Sequence, residues 1–229
     1  MPLQPDNNGR TRSKNGNVSQ TLYYAYRLHQ RLNEPTTILA AGKLLQQYIV
    51  DAWASTEQNR LSWVYNHQNV LRADLYQGLR DAVIADDHLD LNQTGQHVIL
   101  PASHTGSPRQ MYQLFQDSMA ICRRFHKPDI FLTMTANPNW PEIRESLLPG
   151  QEPSDRPDIV ARVFHLKKEA LLKDIKKNGI FGKVVASVYT IEFQKRGLPH
   201  MHLLIFLDPN DKIRTPEDAD QVSCAQIPD

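Results

Sequence analysis

The stretch Tyr189-Thr-Ile-Glu-Phe-Gln-Lys-Arg-Gly-Leu-Pro-His-Met-His-Leu-Leu-Ile-Phe-Leu207 constrains the fold of this chain more than any other. Residues 183–194 are rich in β-branched and apolar side chains, Lys195-Arg196-Gly197 interrupts them, and residues 198–207 are apolar again. Two such runs around a glycine turn read as a β-hairpin. Side chains alternate faces along a strand, so His200 and His202 share a face and Met201 takes the other. By the same parity Glu192 and Gln194 share a face on the partner strand. Closing the hairpin around residues 195–197 sets an oxygen donor beside two imidazoles. That donor set suits a divalent metal with positions left open to a substrate. Two histidines on one strand face are more often surface or hydrogen-bonded residues, so the spacing alone does not assign a metal.

A second strand is expected over residues 129–136, Asp129-Ile-Phe-Leu-Thr-Met-Thr-Ala136. Phe131, Thr133 and Thr135 share one of its faces, Leu132 and Met134 the other. Asn137-Pro-Asn-Trp-Pro-Glu-Ile143 follows as a turn-rich loop. Thr133 and Thr135 are placed either to bond phosphate or to support metal ligands, or serve β propensity alone. Trp140 either stacks on an unpaired base or pins the loop.

The eleven residues from Glu192 to His202, ending His-Met-His, resemble the HUH endonucleases, which nick single-stranded DNA with a tyrosine nucleophile. Within that group the wording is similar to the amino-terminal Rep-like domain of Helitron rolling-circle transposases. The strand ending Thr133-Met-Thr135 resembles the first motif of rolling-circle initiators. Asn137-Pro-Asn-Trp-Pro-Glu-Ile143, Gln47-Tyr-Ile-Val-Asp51 and Leu71-Arg-Ala-Asp-Leu-Tyr-Gln-Gly78 also look like Helitron phrases. The similarity covers most of residues 40–229.

The resemblance implies an α+β fold: an antiparallel sheet with an HUH or RRM-like core, helices on one face, and a mainly helical region before it. It implies a Mg²⁺ or Mn²⁺ ion held by His200 and His202 with a third polar ligand. Glu192 is the first choice, because geminiviral initiators place a carboxylate eight residues before the first histidine; Gln194 is the alternative. It implies single-stranded DNA as the partner, with Thr133, Thr135, Asn137, Trp140, Lys195 and Arg196 as contacts. A tyrosine attacks the phosphate, leaving a 5′-phosphotyrosyl link and a free 3′-OH. No tyrosine follows Tyr189, so the nucleophile is expected downstream of Asp229, with a helicase domain in the full-length protein. Without it the chain is expected to bind rather than cut. A non-catalytic single-strand-binding module or a decayed transposon remnant remain alternatives. A nuclear location follows from the resemblance alone.

Organisation along the chain supports one large domain with appendages. Residues 1–20 are polar and read as a disordered arm. Residues 21–96 read as mainly helical. Tyr23, Tyr24 and Tyr26 fall in an aromatic run taken as core, and a long helix is expected over residues 41–68 with a second over 69–83. Residues 97–207 form the α+β core, opening with a short strand over 97–101. A helix follows from Pro108 to about residue 125, with Ser107 as N-cap. A helix is expected over residues 159–177. Its apolar stripe is Ile159, Val163, Leu166 and Ala170, widened by Val160, Phe164, Leu171 and Ile175, and Lys168 is placed on the solvent side. Residues 208–229 read as an acidic loop with little fixed structure.

Charge and cysteines exclude some classes. Residues 208–229 hold six acidic and two basic residues, which leaves residues 1–207 at a net +5. A mildly basic body permits nucleic-acid contact through local patches. Cys122 and Cys224 are far apart and form no zinc-finger spacing, so free thiols in a reducing compartment are expected. No apolar run approaches the ~20 residues of a transmembrane helix.

Overall fold

The computed structural model describes residues 17–31, 34, 37–68, 98, 100–194 and 197–223. The chain divides into two compact units, residues 1–105 and 106–229. The helix expected over residues 69–83 lies outside the described residues. So do His97 and Ile99 of the short strand expected over 97–101, and Val98 and Leu100 are not in a strand.

In the first unit, α1 (Gln20–Arg27) and α2 (Lys43–Asn66) pack together. Ser19 caps α1 by accepting from the Leu22 N–H. Tyr24 meets Tyr48 edge-on at 6.1 Å, and the Gln20 amide donates to Ser55 Oγ at 2.6 Å. Tyr23 and Tyr26 are exposed, so the aromatic run is not core throughout. The Arg31 guanidinium sits 3.6 Å over the Tyr26 ring, which accounts for one of them. On α2 the buried residues are Leu45, Ala52, Thr56 and Val64.

The second unit carries the sheet. Its elements are α3 (Pro108–Phe125), β1 (Ile130–Thr135), α4 (Pro141–Arg144), a 3₁₀ turn (Pro153–Asp155), α5 (Pro157–Lys176), β2 (Val184–Phe193), β3 (Pro199–Leu207) and α6 (Pro216–Val222). The strand order is β1-β3-β2 with both pairs antiparallel. The fold is therefore α+β. Flanked on both sides, β3 is the most apolar strand, and Met201, Leu203 and Ile205 are fully buried. They join Ile159, Val160, Phe164, Leu172 and Ile175 of α5, with Ile130, Leu132 and Met134 of β1 packed against them. Burying each such side chain contributes about 1.5–3 kcal/mol, so this interface fixes which face of β3 turns inward.

The buried stripe of α5 differs from the expected one. Leu166 and Ala170 are exposed, whereas Lys168 is 5% exposed. The helix buries Val160, Phe164, Lys168 and Leu172 at four-residue steps. The aliphatic stem of Lys168 follows this row, and its ammonium meets Glu169 at 2.8 Å and lies 5.2 Å from the Tyr189 ring. A long side chain with a charged tip fills an apolar position that a polar/apolar pattern assigns to solvent.

Among the described residues a helix also meets the opposite sheet face at one end. Phe206 belongs to that face by parity and is fully buried, and the Phe125 ring at the end of α3 lies 6.1 Å from it. Phe125 of α3 thus lies against Phe206 on this face, while α5 packs on the other. At the other end of the hairpin Gly197, at φ +75°, donates its N–H to the Gln194 carbonyl at 2.7 Å. That left-handed position favours glycine.

The segment after β3 is more ordered than its composition suggests. Asp211 accepts from the Lys183 N–H at 2.7 Å, and Lys212 reaches Asp129 at 3.0 Å. Gly182 passes so close that a Cβ there would lie 2.7 Å from the Asp211 Cβ. Thr215-Pro-Glu-Asp218 then starts α6 with a reciprocal capping box, which the acidic composition had hidden.

Candidate metal centre

Strand register builds the site. Across the sheet Thr135, His200 and Glu192 form one row, and Thr133, His202 and Thr190 the next. A third row follows with Phe131, Leu204 and Val188, and Phe206 lies beyond it under Phe125. All these side chains share the face turned away from α5, since neighbours in a row point the same way.

Glu192, His200 and His202 bring one ligand atom each to within 4.8 Å of one another. Glu192 Oε1 lies 3.0 Å from His202 Nε2, and the two imidazole rings meet edge-on at 4.5 Å. His200 is buried, His202 half-buried and Glu192 exposed, so the site opens on the side of β2. Thr135 Oγ1 lies 2.6 Å from His200 Nδ1. When His200 Nε2 faces a metal, Nδ1 carries the proton and donates it to the threonine oxygen, which fixes the tautomer and the ring plane. Two neutral imidazoles and a carboxylate, one of them oriented by a hydroxyl, are a chemically suitable set for a divalent ion with free positions.

Gln194, the other candidate for third ligand, sits past the end of β2, where its N–H donates to the Leu198 carbonyl at 3.0 Å. Thr133 flanks His202 and is exposed. Asn137 uses its side chain locally: Oδ1 accepts from the Asn139 N–H at 2.9 Å, and its carbonyl accepts from Trp140 N–H at 3.1 Å. Trp140 is half-buried against the core, with the Lys167 ammonium 5.0 Å from its ring centre. The same ammonium lies 2.7 Å from Glu142 and holds that carboxylate below its usual range. Lys195 and Arg196 lie outside the described residues.

Two features were not singled out from the sequence. Phe131 stacks parallel to His202, with a 6° angle between the rings and 5.7 Å between their centres, while 62% of it stays exposed. Thr190 completes the row around His202. Parity within residues 129–136 and 183–194 was enough to place both on this face; nothing in their types marks them. Tyr189, the last tyrosine of the sequence, points to the opposite face, where it meets Lys168.

The sequence matches a known family. Residues 23–205 match the family described as the Helitron helicase-like domain at the N-terminus. No curated protein matches the chain. Among the described residues no helix is long and apolar enough to cross a membrane.

Proposed function

The chain belongs to the Helitron helicase-like N-terminal domain family, and from that membership we propose that its Glu192–His200–His202 face binds a phosphate of single-stranded DNA together with Mg²⁺ or Mn²⁺. The observation that carries this reading is the convergence of three ligand atoms from two strands within 4.8 Å. Bound there, the ion would neutralise phosphate charge and polarise the phosphorus toward attack, as in a metal-assisted nicking and joining reaction. Thr135 keeps His200 Nε2 directed outward, Glu192 and His202 complete the donor set, and the Thr133 and Thr190 hydroxyls are donors beside it for phosphate oxygens. Imidazole favours transition metals over Mg²⁺, so Mn²⁺ binds more tightly in vitro.

In this reading the full protein acts in rolling-circle transposition, in the nucleus and alongside a helicase domain. Nicking needs a tyrosine oxygen on the metal face, and Tyr189 is on the other. In this reading Tyr189 is therefore not the nucleophile, and the part played by the described face is to hold DNA and metal. That orientation also favours a second reading, a single-strand-binding module with no chemistry of its own.

Titrating a labelled oligonucleotide, single-stranded or duplex, with Mn²⁺ or with a chelator and at two salt concentrations tests the proposal. Mn²⁺-dependent preference for the single strand is expected. Binding indifferent to both metal and strandedness contradicts both readings; a metal-independent preference supports the second.

A further inference from the structure

We propose that Phe131 is the stacking platform for the unpaired base next to the metal-bound phosphate, an inference that rests on the single-strand reading above. Its placement is the first ground. Phe131 stands on the metal face one row from His202, about 7 Å along the strand. A nucleotide whose phosphate sits at the Glu192–His200–His202 rows carries its neighbouring base across the next row, which is Phe131, Leu204 and Val188.

Exposure is the second ground. Phe131 is 62% exposed although the strand could bury it, and the ring stands parallel to His202 rather than folded against the sheet. One face of the ring is thus used by His202 and its bulk remains open to solvent. Leu204 and Val188 beside it are half-buried and give the row an apolar floor. The next row is closed by Phe125 over Phe206, so the open apolar surface is limited to one row. That is room for one base.

The third ground is exclusion. Trp140, in the loop that follows the far end of β1, is packed against the core with Lys167 near its ring. A base stacks on any aromatic face without reading sequence, and bases in a duplex already have their faces occupied. Phe131 therefore selects for unpaired DNA and places the strand so that a phosphate meets the metal ligands.

The test compares Phe131→Ala, Phe131→Leu and Phe131→Trp in the full chain by Mn²⁺ titration and by anisotropy of a labelled single strand. Loss of one base stack weakens single-strand binding roughly 5- to 150-fold. This loss is expected for both Ala and Leu, the latter keeping the apolar bulk, while Trp binds as well as the parent or better. A 2-aminopurine scanned along the oligonucleotide is quenched at one position by the parent and by neither Ala nor Leu. Unchanged affinity in Phe131→Ala and Phe131→Leu, with the parent binding normally, overturns the platform and leaves the proposed function standing. Mn²⁺ affinity that falls in parallel with DNA affinity also overturns it, because Phe131 then acts by holding His202. No single-strand binding by the parent removes this inference and the proposed function together.

Discussion

Thr135 Oγ1 and His200 Nδ1 lie 2.6 Å apart across the β1–β3 ladder, in the row that also holds Glu192. A hydroxyl on one strand thus orients an imidazole on the next. Removing such an outer partner costs a metal site typically 10- to 100-fold in affinity. Thr135→Val is expected to show that loss for Mn²⁺ and Thr135→Ser to retain most of the affinity. Calorimetry measures both. Nitrogen chemical shifts of the His200 ring report the tautomer, which is expected to be mixed only in the valine variant.

Arg156 and Asp158 form a buried pair at the start of α5, 1% and 6% exposed, through two hydrogen bonds of 3.0 and 2.9 Å. Asp158→Ala strands a guanidinium in the core. A loss of about 3–5 kcal/mol in unfolding free energy is expected. Denaturant midpoints give the value, and a change below the usual surface-mutation range contradicts it.

Gly197 closes the hairpin at φ +75°. Gly197→Ala is expected to cost about 1–2 kcal/mol, the penalty of a Cβ in the left-handed region, and Gly197→Asn less. Space is not the cause, since nothing lies within 4 Å of a built Cβ. Thermal unfolding of the two variants separates strain from lost contact.

Asp218 is held below the usual carboxylate range, first by the Arg214 and Thr215 backbone N–H groups that it accepts from. A lowered folded value stabilises the folded form above the ordinary carboxylate pKa of about 3.9, and the gain is lost as pH falls through the lowered value. The α6 amides of residues 217–222 are expected to lose exchange protection on acidification, and Asp218→Asn to show less protection with no such transition. Amide exchange at several pH values reads both.

The hairpin was legible because period-2 parity needs no tertiary information. His200, His202 and Glu192 fall on one face whatever packs behind them. The Phe131, Thr133 and Thr135 face followed in the same way. What sequence parity leaves open is which aromatic stays open: the sequence allows Trp140 either to stack on a base or to pin its loop, and the loop folds it against the core. Lys168 was assigned to solvent because polarity is a property of the tip, while its burial is decided by the stem. The α6 helix was missed because its signal is a four-residue capping box inside an acidic stretch, where composition points to loop. The cover of Phe206 by Phe125 joins residues far apart in sequence, a contact that no local pattern carries.

Mn²⁺ titration of the parent chain and of His200→Ala/His202→Ala, followed by calorimetry, bears most directly on the metal centre. The expected result is a single ion bound by the parent and none by the double variant, with Glu192→Ala intermediate or absent and Gln194→Ala close to the parent. Equal binding by the parent and the histidine variant contradicts the assignment of Glu192, His200 and His202 as a metal site.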